Sequence, residues 1–179
     1  MSQLNINKVF LVIMLNFFIC CSTPLLIENN EEEIVERPDH ESWDVQITIT
    51  NSGKKRTYIR ADHLKQFDDK SFISLENNVK IDFYDANEEH ISSLYSDKAD
   101  INERTDYLRA IDNIIVESDS GITLFTDTLS WDNDRELVFT NDSVMITTET
   151  NDTLYGIGFE SDVNMERWKI LRPRGVTSR

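Results

Sequence analysis

Between Asp39 and Pro173 the chain carries no proline and few glycines, yet its apolar residues do not recur at helical spacing. They alternate. Trp43, Val45, Ile47 and Ile49 are interleaved with Asp44, Gln46, Thr48 and Thr50, the period of two that gives a strand one dry and one wet face. The same pattern returns in Val79, Ile81 and Phe83, in Ile114 and Val116, in Ile122 and Leu124, and in Leu137 and Phe139. It continues in Val144 and Ile146, in Tyr155, Ile157 and Phe159, and in Trp168 and Ile170. A chain written this way has to bury one face of nearly every strand, which makes it all-β.

Short polar clusters separate these runs: Asn51-Ser52-Gly53, Asp85-Ala86-Asn87, Asp119-Ser120-Gly121, Asp132-Asn133-Asp134, Asn141-Asp142 and Asn151-Asp152. Such residues accept tight-turn dihedrals, so the pattern predicts an antiparallel meander of short strands. The stretch Lys98 to Arg109 is charged enough for a helix but lacks an apolar stripe, and is expected to be extended. A loose repeat is also visible. Arg60-Ala61-Asp62 is echoed by Lys98-Ala99-Asp100, and each is followed by an asparagine ahead of an apolar run, Asn78-Val79 and Asn113-Ile114. Asp142-Ser143-Val144 reads as a third, degenerate copy, so one supersecondary unit is expected to stack on itself about every 30 to 40 residues.

The first 42 residues have a different character. After Lys8 comes the apolar run Val9 to Ile19, ending in Cys20-Cys21, the layout of a secretory leader. Phe18-Ile19-Cys20-Cys21 is similar to a bacterial lipobox with Cys21 as the acylated residue, although Cys20 stands where glycine, alanine or serine is usual. An uncleaved transmembrane helix from Val9 to about Ile27 is the alternative, near the lower length limit and interrupted by Asn16 and Ser22-Thr23-Pro24. Either anchor leaves the rest beyond the membrane. Residues 22–42, rich in Glu and Asn, cannot bury enough apolar surface to order themselves and read as an acidic tether. The expected organisation is a leader or anchor at 1–21, the tether at 22–42, and one β domain at 43–179.

The 179 residues include 33 acidic and 18 basic ones, for a formal net charge of -15. Such a surface repels phosphates, which argues against nucleic acid as a partner. No cysteine lies outside the leader, so the domain has no internal disulfide and rests on burial and backbone pairing.

With these elements in place, a family resemblance emerges. The runs Asn78-Val79-Lys80-Ile81-Asp82-Phe83-Tyr84-Asp85, Leu94-Tyr95-Ser96-Asp97-Lys98-Ala99-Asp100 and Asp119-Ser120-Gly121-Ile122-Thr123-Leu124-Phe125-Thr126-Asp127 come first. Gly156-Ile157-Gly158-Phe159 and Trp168-Lys169-Ile170-Leu171 complete an order that resembles the LptC family of lipopolysaccharide export proteins and the wider OstA-like group. The resemblance implies a twisted, open antiparallel β-jelly-roll held at the inner membrane and facing the periplasm. Such a protein takes lipopolysaccharide from an inner-membrane ABC transporter (LptBFG-like) and passes it to a periplasmic bridge protein (LptA-like). An apolar groove suits that role, because each methylene buried there is worth about 0.8 kcal/mol. Candidate groove residues are Val45, Ile47, Ile81, Phe83, Ile122, Leu124, Leu137, Phe139, Val144, Ile146, Ile157 and Phe159. Edge strands around Trp43 and around Trp168 and Ile170, both free of proline, are the candidate partner contacts.

Catalytic signatures are missing from the sequence: it has no Gly-x-Ser-x-Gly, no phosphate-cradling glycine loop and no His-Glu-x-x-His. His40, His63 and His90 stand apart and read as surface residues, and no metal or cofactor is expected. The competing reading is an anchored structural or glycan- or protein-binding β-repeat lipoprotein. Groove continuity separates the two, since lipid transfer needs an apolar face open along the sheet and a structural module closes it.

Overall fold

The structure, a computed structural model, describes residues 37–132, 135, 137–150 and 152–175. Nine strands lie among them: β1 (His40–Asn51), β2 (Lys54–Phe67), β3 (Phe72–Tyr84), β4 (His90–Asn102), β5 (Tyr107–Ser118), β6 (Thr123–Asp132), β7 (Leu137–Thr147), β8 (Thr153–Ser161) and β9 (Trp168–Arg174). All pair antiparallel in one sheet whose spatial order is the sequence order, with β1 and β9 as free edges. The all-β expectation holds, and the Lys98 to Arg109 stretch is extended apart from a turn at 103–106. Cys21 and residues 22–36 of the expected tether lie outside the described residues. The first strand starts at His40, ahead of the expected tether end at residue 42.

Several strands are longer than the alternation suggested, because polar pairs, among them the expected turn Asn141-Asp142, are crossed without a turn. Asn141-Asp142 sits inside β7, Asn77-Asn78 inside β3 and Asp112-Asn113 inside β5. The pairs in β3 and β5 are left-handed, with φ of 62° and 49° for Asn77 and Asn78 and of 62° and 51° for Asp112 and Asn113. Asn and Asp tolerate that region better than other non-glycine residues, so they bend a strand without ending it.

These bends fall in register. In β2, β4, β6 and β8 the inward-facing positions skip one residue, from Ala61 to Leu64, Ser96 to Ala99, Thr126 to Leu129 and Gly156 to Phe159. In β3, β5 and β7 they skip a full pleat, from Leu75 to Val79, Ala110 to Ile114 and Thr140 to Val144. The pairing shifts at each of these places, forming one continuous crease from β2 to β8. Side chains pin its outer surface: Asn78 donates to Asp62, Asn113 to Asp97, and the Thr128 hydroxyl to Asp142. The internal repeat is therefore real but its first alignment was shifted. The counterpart of Asp62 in the second unit is Asp97, each accepting from an asparagine of the next strand, which makes Ala61 equivalent to Ser96 and not to Ala99.

The crease divides the sheet into two leaves that fold toward each other. The upper leaf ends in the β1–β2, β3–β4, β5–β6 and β7–β8 turns; the lower leaf ends in the 3-10 turn Asp68–Lys70, the turn at 103–106 and the loop 162–167. Phe83 of the upper leaf meets Trp131 of the lower edge-on, with ring centroids 5.5 Å apart. Between the leaves lies one buried cluster that includes Ile59, Leu75, Val79, Ile81, Leu124 and Phe159.

Candidate functional site

Two voids occupy the space between the leaves. A cleft of about 650 Å³ opens beside the β1 to β3 end, walled by Ile49, Ile59 and Phe83 from the upper leaf and by Ile101, Leu108 and Trp131 from the lower. Deeper in, between Leu94 and Val116 above and Leu129 and Val138 below, only about 20 Å³ remains. Thr50, Arg56, Asp85 and Asp106 also line the larger cleft, so its walls mix polar and apolar groups, and the buried apolar cluster fills the space beyond it. A cleft of the larger size is in the range that takes a small ligand or a lipid chain.

The predicted groove residues divide into two sets. Ile81, Phe83, Leu124, Val144, Ile146 and Phe159 belong to the buried cluster, and Val45, Ile47 and Ile122 pack against it. Leu137, Phe139 and Ile157 do not. In β7 the pairing sets Val138 opposite the buried Trp131 side and Phe139 opposite Ser130, on the outer face. The reason is parity: β7 runs unbroken, so Leu137 and Phe139 cannot share a face with Val144 and Ile146. In β8 the left-handed Gly158, φ 78°, flips the phase and leaves Ile157 outside while Phe159 points in. Sequence reasoning missed Ile59, Ile101, Leu108 and the loop residues Val163 and Met165.

The three edge candidates do lie on the free edges. Trp168 and Ile170 turn their side chains into the cluster, so β9 offers its backbone rather than these rings. Trp43 is on the outer face, 65% exposed and stacked on His63 with centroids 5.2 Å apart. The expectation of proline-free edges is corrected for β9, which extends to Arg174 and contains Pro173 opposite Gly156.

A sequence profile described as lipopolysaccharide-assembly, LptC-related, matches residues 9–176. The chain belongs to the LptC-related family. Among solved structures, it is similar to LptH, the LptA homologous periplasmic component of the conserved lipopolysaccharide transport device from Pseudomonas aeruginosa. That match has a TM-score of 0.53 at 11% identity, covering 65% of this chain and 82% of the other, and it supports the shared fold. No curated protein matches the sequence significantly. Among the described residues, no helix is long and apolar enough to cross a membrane.

The outer face of this LptC-related sheet carries polar clusters that the sequence did not reveal. Ser93, His90 and Asp119 line up, with His90 Nε2 3.0 Å from Ser93 Oγ and Nδ1 2.9 Å from Asp119. The grouping looks like a hydrolytic triad, but the Ser93 hydroxyl is buried and donates at 2.6 Å to Asp82 Oδ1, so its proton is not directed to the imidazole. Lys80, 2.9 Å from Asp82, completes the cluster. Burial pushes the Asp82 carboxyl up. The Ser93 and Lys80 hydrogen bonds, with the charges of Lys80 and His90, outweigh that and hold it below the usual carboxylate range. The Asp82 hydrogen bond in turn raises Lys80. Nearby, the hydrogen bond from Lys65 leads in lowering Glu76, which also contacts His63. These are structural ion networks on a wet face.

Proposed function

We propose that this protein is a non-enzymatic carrier in lipopolysaccharide export. It takes lipopolysaccharide from the inner-membrane ABC transporter by seating acyl chains between the two leaves, then hands it to the periplasmic bridge through its free β-edge. Membership of the LptC-related family supports a role in lipopolysaccharide transport. The observation that supports the finer reading is the cleft of about 650 Å³, with apolar walls and a polar mouth, that opens onto the buried apolar cluster between the leaves. Hydrocarbon entering it leaves water at about 0.8 kcal/mol per methylene, a grip that needs no cationic surface and suits a chain of net charge -15. The sugar head then stays in solvent. Under this reading Cys21 or an N-terminal helix tethers the sheet on the periplasmic side.

Photo-crosslinking in membranes that are exporting lipopolysaccharide tests the proposal, with the probe at Phe83 or Trp131 and at Phe139 as an outward-facing control. ATP-dependent lipid adducts at the first two positions and none at Phe139 are expected. Equal labelling at all three, or protein adducts only, would refute the carrier. The anchored structural lipoprotein then becomes the better account, and the nearly filled interior between Leu94 and Val138 is the observation in its favour.

A further inference from the structure

We propose that the loop 162–167 is a displaceable strap that fills the groove in the resting protein and leaves it when an acyl chain enters. This rests on the carrier reading and adds regulation to the same site. The loop joins β8 to β9 at the rim of the lower leaf, yet its contacts reach the upper one. Ser92 Oγ donates to the Val163 carbonyl at 3.2 Å and Ser118 Oγ to the Asn164 carbonyl at 2.9 Å. Met165 is 1% exposed and belongs to the buried cluster; Val163 packs against it and lines both voids. These two side chains occupy the space in which a hydrocarbon chain would continue from the cleft into the interior, which is why so little room remains there.

Three observations mark the strap as removable. First, it is a self-contained unit. Asp162 accepts the backbone N–H groups of Glu166 and Arg167 through Oδ1 and the Arg167 guanidinium through Oδ2, while the Met165 N–H returns to the Asp162 carbonyl. These bonds are local to the loop, so swinging out breaks no ladder pairing, and once exposed to water they open and release the Met165 dihedral. Second, the closed arrangement is incompletely satisfied. Among the described residues, the buried side-chain polar atoms without a partner are Trp131 Nε1, which lines both voids with Val163, and Ser161 Oγ, immediately before the loop. Buried polar groups are normally paired, and unpaired ones mark places where a structure holds strain. Third, Met165 has a φ of 58°, an unfavourable value for a long side chain. Closure therefore depends on Met165 and Val163 burial plus two serine hydroxyls, opposed by strain and two unpaired groups. An entering chain replaces that burial with its own.

The arrangement predicts an apparent affinity reduced by the fraction of time the strap is open. The test uses the full-length chain and a fluorescent single-chain fatty acid, comparing wild type with the S92A/S118A double variant, which removes both serine bonds to the strap and leaves the outer cleft's lining unchanged, although Ser92 lines the inner void. The variant is expected to bind about tenfold more tightly, the scale of one to two lost hydrogen bonds. Hydrogen exchange supplies the second readout, and it does not depend on the variant. In wild type, amides 163–166 are expected to exchange faster once the fatty acid is bound. Unchanged affinity in a folded variant, or amides 163–166 becoming more protected on binding, overturns the strap and leaves the carrier reading standing. No binding by either protein overturns the carrier reading, and the strap with it.

Discussion

The residues that shape this molecule most are small polar ones in its strands. Asn113 follows Asp112 in a left-handed pair, faces Asp97 across the crease and lets β5 bend without breaking. Two separate effects operate at this position, and substitutions divide them. Asn113→Gly keeps the dihedral and loses the side-chain bond, and should cost about 1 kcal/mol or less by denaturant titration. Asn113→Val loses both and adds a β-branched side chain at positive φ, for a cost of about 2 kcal/mol or more. Equal losses would show that the bend is set elsewhere. Asp82 makes a pH-dependent contribution. Its carboxyl is held below the unfolded value, so its stabilisation is present above about pH 4 and disappears as the pH falls through the lowered value. The gap in melting temperature between wild type and Asp82→Asn should therefore be widest near neutral pH and narrow in acid. A gap that widens in acid would contradict the network.

At the scale of elements, β8 and β9 approach closely at one glycine. A Cβ on Gly156 would lie 2.1 Å from Ile170 Cγ2 and 2.8 Å from the Arg172 carbonyl oxygen. The Ile170 side chain has some freedom to turn, but the Arg172 backbone has little. Gly156→Ala should destabilise by about 1–3 kcal/mol and loosen β9 before any other strand, visible as faster amide exchange at 168–174. β9 is also one of the two free edges through which the carrier reading can hand lipid to the bridge protein, and the one that this variant tests. The same variant should then weaken pull-down of the bridge protein more than it lowers the overall melting temperature.

Over the whole molecule, every ladder joins strands that are neighbours in sequence, and the leaves are closed upon each other by contacts such as Phe83 on Trp131 and the serines on the 162–167 loop. Such a sheet loosens most readily from its ends, because an edge strand has a partner on one side only. Hydrogen exchange should be slowest in β3 to β6 and fastest in β1 and β9. Uniform protection would mean that contacts between the leaves, more than the ladders, set cooperativity.

The alternation of Val45 to Ile49, or of Val79 to Phe83, determines on its own that the chain forms one-sided strands, since a period of two cannot bury a helix. Sequence order and polar turns such as Asp119-Ser120-Gly121 also determine the meander, and strand-by-strand similarity to the LptC family pointed to the fold. What the sequence left open was the phase and length of strands crossing a bend. Asn141-Asp142 has the composition of a turn, and only the pairing of the residues on either side of it with β6 and β8 keeps it inside a strand; that pairing turns Leu137 and Phe139 outward. Gly158 likewise reverses β8 through a dihedral with no signature beyond glycine itself. The site was legible as a set of apolar runs but not as a cleft. Bringing Phe83 to Trp131, and Val163 and Met165 to both, needs the crease, which is a property of seven strands in register and of no single segment.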